Sequence, residues 1–141
     1  MEPSIVIDTN VLVAARRSSR GASARLVSLI GKGFFDLHLS TALLLEFEEV
    51  LYCLHAELGL RPAQTDAFLD ALAYAGIPQR ISFRWRGYTR DPKDAMVLEL
   101  AVAAGCDYIV TYNKRDFPEV ETLFGIKVVT ALEFLKIIDA L

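Results

Sequence analysis

Short apolar runs rich in β-branched residues alternate along this chain with longer stretches whose apolar positions recur every three or four residues. Ser4-Ile5-Val6-Ile7 is continuous up to Asp8, the pattern of a strand buried on both faces. Leu37-His38-Leu39-Ser40 reads as a second short strand, Tyr108-Ile109-Val110-Thr111 as a third, buried one, and Ile126-Lys127-Val128-Val129 as a fourth. Residues 77–83 read as a weak edge strand, with Pro78 near its start, where a missing donor is tolerated. A helix-prone segment follows Asp8, breaks near 18–21 and resumes over 22–30, closed by Gly31 and Gly33. Over 41–58, Leu43, Phe47, Val50, Leu51, Leu54 and Leu58 form one stripe that Gly59 ends. Pro62 opens another helix, with Phe68, Leu69 and Leu72 inward, stopped by Gly76.

Asp91-Pro92-Lys93-Asp94 is a helix start, with an acidic cap, Pro at the first position and an acid in the first turn. The helix over 95–104 is apolar on nearly every side, and Glu99 is its only charged residue. Such a helix must be sandwiched inside the fold. A last helix runs over 132–141. Strands alternating with helices predict right-handed crossovers and an α/β fold, its mostly parallel sheet covered on both faces.

Composition narrows the class. A length of 141 residues predicts one domain, 1–141. Hydrophobic residues at 53% and charged residues at 23% exclude a disordered tail, a collagen-like repeat and a coiled coil. No apolar run approaches the roughly 20 residues of a membrane span. The acidic start and the apolar run ending at Asp8 do not suit a signal peptide, so a cytoplasmic protein is expected. Cys53 and Cys106 stand in apolar helical contexts and are expected as buried free thiols. His38 and His55 stand apart, and no Cys/His cluster has zinc spacing.

The net charge of −3 hides an uneven distribution. Residues 9–35 and 71–90 contain no acid and hold nine of the 15 cations, Arg16, Arg17, Arg84, Arg86 and Arg90 among them. An acidic total therefore leaves nucleic acid open as a partner, because local fields set phosphate attraction. Two solvated basic faces would give the same pattern.

In an open parallel sheet, functional groups collect beyond the carboxyl ends of the strands. Asp8 directly follows the first strand, and Asp116 lies in the loop after the 108–111 strand. Asp94 opens the helix leading into that strand, and Glu46 lies on the helix after the second strand. Each acid has a structural alternative. Asp8 fits a helix cap, Asp94 a first-turn dipole partner, and Asp116 a loop residue binding its own backbone. By pattern alone Glu46 and Glu48 flank the stripe equally well. Four converging carboxylates would repel and retain protons unless divalent cations joined them. Mg²⁺, which prefers oxygen ligands, waters and substrate phosphates, suits such a cleft. Setting the four acids aside turns the charge from −3 to +1, a body that would attract a polyanion.

These motifs resemble the PIN-domain ribonucleases. The resemblance rests on Ile5-Val6-Ile7-Asp8-Thr9-Asn10, on Ser40 through Glu46-Phe47 to Val50-Leu51, on Arg90-Asp91-Pro92-Lys93-Asp94, and on Asp107-Tyr108-Ile109-Val110-Thr111 followed by Asn113 and Asp116-Phe117. The length is similar to that of toxins from VapBC-type toxin–antitoxin pairs. The resemblance implies a three-layer α/β/α PIN-like fold with a central, mostly parallel sheet. It implies Mg²⁺- or Mn²⁺-dependent hydrolysis of RNA phosphodiesters by a type II toxin, with Asp8, Glu46, Asp94 and Asp116 as the acidic metal site. It raises Glu46 above Glu48, and it gives Thr9, Asn10, Thr111 and Asn113 supporting roles. Family members often carry an acid at the Asn113 position, so the amide here argues against metal binding by Asn113. A small antitoxin and a homodimer are implied in the same way.

Arg16, Arg17, Arg84, Arg86 and Arg90 are the candidate RNA contacts, and Trp85 between two arginines would either stack a base or anchor its loop. Three other readings compete. A haloacid-dehalogenase-type phosphatase also begins with Asp after an apolar strand, but its second Asp would fall at Asn10, where an amide cannot act as an acid. A non-catalytic RNA-binding or regulatory module would share the fold, and so would an RNA-processing nuclease.

Overall fold

The computed structural model describes residues 2–81 and 91–141. At its centre is β1 (Ser4–Ile7), whose Ile5, Val6 and Ile7 are all but inaccessible to solvent. It pairs in parallel with β2 (Asp36–Leu39) on one side and β4 (Tyr108–Val110) on the other. The short β3 (Ile77–Pro78) extends the sheet beyond β2, and β5 (Lys127–Val129) extends it beyond β4. Every pairing is parallel, in the order β3-β2-β1-β4-β5. The chain thus moves outward from β1 in one direction and later returns on the other side. The gap between the carboxyl ends of β1 and β4 is the switch point, where an open parallel sheet presents a crevice.

Helices α1 (Thr9–Arg17), α2 (Ala22–Ser28), α3 (Thr41–Cys53), α4 (His55–Leu58) and α5 (Pro62–Ala75) belong to the outward half of the path. Right-handed crossovers put them on one face of the sheet. Helix α6 (Pro92–Ala104) returns across the other face, against β1, β2 and β4. Its buried Val97, Leu98, Leu100 and Ala101 explain why almost no side of it is polar. Helix α7 (Val120–Phe124) precedes β5, and α8 (Ala131–Ile137) packs on α2. There Phe134 meets Phe35 and Tyr108 edge-on, at ring distances of 5.6 and 5.3 Å. The fold is the α/β architecture expected, with a fully parallel five-stranded sheet flanked by helices. No helix among the described residues is long and apolar enough to cross a membrane.

Several boundaries differ from expectation. The helix expected over 41–58 is broken at Leu54, although no Gly or Pro marks the place. Contacts with α5 hold the break: the Tyr52 hydroxyl donates to Asp66, and His55 Nε2 lies 2.7 Å from Thr65 Oγ1. The edge strand is two residues long, with one further bond, from Gln79 N to the Leu39 carbonyl at 2.7 Å. The rest of its expected span, 82–83, lies outside the described residues. The last helix ends at Ile137 because Asp139 turns to φ 55°, a left-handed conformation that Asp tolerates better than most residues. Cys106 is buried, its thiol pushed up to about 12 by burial and the nearby Asp107. Cys53 is free but exposed, because the turn that ends α3 carries it outward.

Gly76 shows how tightly α5 is docked. A side chain there would collide with the end of Leu39 and come within 3.0 Å of the Leu72 carbonyl oxygen. We expect Gly76→Ala to cost about 1–3 kcal/mol by overpacking, read from urea unfolding. Unchanged stability would show that Leu39 yields freely.

Candidate active site

β1 delivers Asp8 to the switch point, where its backbone N–H donates to the Val110 carbonyl at 2.9 Å and extends the pairing with β4. The residue is only 8% exposed. Its carboxylate is nevertheless well partnered. Oδ1 accepts from the Thr9 N–H at 2.8 Å, so Asp8 caps α1 as well as facing the cleft. Oδ2 accepts from Thr111 Oγ1 at 2.8 Å and from Asn10 Nδ2 at 3.3 Å.

Thr111 and Asn10 are fixed in turn. Thr111 is fully buried, and its hydroxyl accepts from Asn10 Nδ2 at 3.2 Å and from the Asn113 N–H at 3.1 Å. One donation and two acceptances exhaust that hydroxyl. Asn10 Oδ1 accepts from the Tyr112 N–H at 3.2 Å. The Asn10 side chain therefore staples the segment after β4 to the start of α1. The same segment is tied to α2 by a 2.5 Å hydrogen bond between Tyr112 OH and the buried Ser23 Oγ. Asn113 takes part through its backbone.

The other three acids gather around Asp8. Asp116 ends a 3-10 turn (Lys114–Asp116), which the Lys114–Glu133 ion pair fastens to α8 at 2.5 Å. Asp94 lies in the first turn of α6, after the Asp91 cap, whose side chain accepts from the Lys93 N–H at 2.9 Å. Glu46 projects from α3 and is 5% exposed, whereas Glu48 and Glu49 face solvent. Lys93 Nζ stands 3.6 Å from Glu46 Oε1 and links α6 to α3.

Protonation equilibria report the crowding. Burial raises the Asp8 carboxyl above its ordinary value, and the charges of Asp116 and Glu46 raise it further, while the bonds from Thr111 and Thr9 oppose the rise. Asp94 is pushed up to about 6, first by burial and then by Asp116, Asp8 and Asp91. Asp116 thus bears on both Asp8 and Asp94, Glu46 bears on Asp8, and Asp8 bears on Asp94. Among the described residues, however, no three His, Cys, Asp or Glu side chains lie close enough together to grip an ion as they stand.

The arginines divide differently. Arg16 and Arg17 are on the last turn of α1, about 12 Å of helix rise beyond Asp8. The Arg16 guanidinium lies over the Phe68 ring at 4.8 Å, and Arg17 pairs with Glu57 at 3.0 Å. The structure therefore does not bring these two to the acids. Arg84, Arg86 and Arg90, with Trp85, lie outside the described residues. Lys93, which neutralises Glu46, was visible in the sequence only as part of a helix start.

A doubly wound α/β fold with a cluster of acids at its switch point defines a class of protein. Within it, the PIN domain family model matches residues 4–115, and the chain belongs to the PIN domain family, whose members are generally nucleases. No curated protein matches the chain. A crystal structure of VapBC2 from Rickettsia felis, bound to a DNA fragment from their promoter, is similar with a TM-score of 0.59 and 15% sequence identity. The likeness covers 89% of this chain and 96% of that one, and it is a likeness of fold.

A carboxyl group whose folded value is raised destabilises the fold above that value. For Asp94 the loss begins near 4 and is complete above about 6. In metal-free buffer at pH 7.5, Asp94→Asn should therefore stabilise the protein by about 1 kcal/mol, after allowance for solvent screening. The difference should vanish by pH 4. Thermal melts of both proteins across that range read it, and a variant less stable at pH 7.5 would contradict the repulsion.

Proposed function

We propose that this chain is a metal-dependent ribonuclease, a single nuclease domain acting as the cytoplasmic toxin of a type II toxin–antitoxin pair. The observation that carries the reading is the Asp8-centred group of carboxylates, held at the switch point with two of its acids raised toward neutrality. Membership of the PIN domain family supports a nuclease. The fold likeness to a VapBC2 structure supports an antitoxin partner, and a homodimer belongs to the same reading.

The donor set fits Mg²⁺ or Mn²⁺, because the four acids offer hard oxygen ligands and neither thiolate nor imidazole. Mg²⁺ is ordinarily held by one or two carboxylates together with waters and substrate phosphates, so three acids need not already be in contact. Asp8 and Asp94 would hold the principal ion, with Glu46 and Asp116 completing the group. When bound, the ion would lower the pKa of a water and neutralise charge on the phosphodiester.

The chain's own residues do the positioning. Thr111, Asn10 and the Thr9 N–H fix both oxygens of Asp8, so that carboxylate cannot rotate away from the cleft. The turn before Phe117 sets Asp116 above the end of β4. Lys93 offsets the buried charge of Glu46 and would offer a cation to an RNA phosphate entering the cleft.

Incubation with defined RNAs, with and without Mg²⁺ or Mn²⁺, tests the proposal. Cleavage should need the ion, stop with chelator, and fall at least about 100-fold in Asp8→Asn and Asp94→Asn. Cleavage by either variant at the wild-type rate would remove the site, and cleavage indifferent to chelator would remove the metal. Thr111→Val should act more weakly, because it disorients Asp8 without deleting a ligand, and cost about tenfold in rate.

A further inference from the structure

Beside the acids, at the carboxyl ends of β2 and β3, the described residues enclose a second cavity. It holds about 220 Å³ and is walled by Ile81, Met96 and the start of α3 at Ser40 to Ala42. It shares Ser40, Thr41, Gln79 and Arg80 with a larger hollow of about 460 Å³ beside β3 and α5. Glu99 of α6 lines its inner part. That residue is 6% exposed, and among the described residues no hydrogen bond or ion pair reaches it. Its two carboxylate oxygens are therefore available to accept from a donor-bearing molecule that enters the cavity.

The surroundings restrict that ligand. Among the described residues Glu99 is the only acid that lines this cavity, and it belongs to no group of three ligating side chains that could hold a metal ion. Arg80 at the mouth would repel a cationic side chain entering from solvent. What fits is a flat molecule carrying two adjacent donors on one edge and a negative charge at the opposite end. Among nucleotides only guanine qualifies, since N1–H and the N2 amino group lie side by side. Adenine and cytosine set an acceptor next to their single amino group, and uracil flanks its one N–H with two carbonyls.

We propose that this cavity is a guanine-reading subsite. The two oxygens of Glu99 accept the N1–H and N2–H of a guanine base, Met96 and Ile81 pack on its faces, and Arg80 meets its phosphate. The proposal rests on the ribonuclease reading above and adds a base preference to it. Asp94 and Glu99 are five residues apart on α6, about 7.5 Å of helix rise. The subsite therefore lies beside the acidic group rather than within it, and the base it reads would adjoin the bond that is cut.

Isothermal titration of the metal-free protein with nucleoside 5′-monophosphates tests the subsite without requiring cleavage. GMP should bind about tenfold tighter than AMP, CMP or UMP. IMP, which lacks the N2 amino group, should fall between GMP and AMP, and this comparison needs no variant. Glu99→Gln should bring the four nucleotides within about threefold of one another, and Arg80→Ala should weaken all of them while keeping GMP first. Equal affinities, IMP equal to GMP, an unchanged preference in Glu99→Gln, or tighter binding of an arginine peptide than of GMP would each overturn the proposal. If GMP is selected but no RNA is cut, the subsite stands and the ribonuclease reading falls. If RNA is cut with no preference for guanine, the reverse holds.

Discussion

The structure turns on a carboxylate that the sheet buries. Asp8 continues the central strand by one residue, so its position is set by the pairing of β1 with β4 and not by any loop. Burial opposes its charge, and neighbouring acids oppose it again. What keeps it in place is local. Its own helix start supplies one N–H, and Thr111 and Asn10 supply two side-chain donors. Those two side chains also organise the segment running to Asn113, through Oγ1 of Thr111 and Oδ1 of Asn10. The group that makes the cleft acidic is thus also the group around which the cleft is built.

The two central strands, β1 and β4, were legible in the sequence because each is a short apolar run ended by a polar residue, and burial on both faces leaves few other patterns. The start of α6 was equally plain, since cap, Pro and first-turn acid are local signals with local causes. What escaped depends on partners distant in sequence. Nothing in Leu54-His55 announces a helix break, which is held by Asp66 and Thr65 on another helix. Nothing around Arg16 predicts that its guanidinium will cover Phe68. Charge along the chain indicated where cations are plentiful but not whether they were already engaged.

The acids show the same division. That Asp8, Asp94 and Asp116 belong near one edge followed from strand direction alone. Pattern could not choose between Glu46 and Glu48, since both flank the apolar stripe. The structure separates them by burial, and Lys93 gives the buried one a counter-charge. That lysine's role depends on how α3 and α6 meet over the rim of the sheet, a tertiary fact absent from the heptapeptide around it.

Helix α6 concentrates the consequences. A helix packed across three strands has little freedom to move, so groups mounted on it keep fixed relations to the sheet. Asp94 at its start is held where its own charge is disfavoured, and Lys93 beside it reaches across to α3. Both depend on the buried apolar turns that follow, which contribute no chemistry. A fold optimised for stability alone would place no carboxylate at the end of such a helix facing Asp8 and Asp116. That the helix tolerates one there reflects the rigidity of its packing: the core supplies enough burial to hold together charges that, left to themselves, would separate.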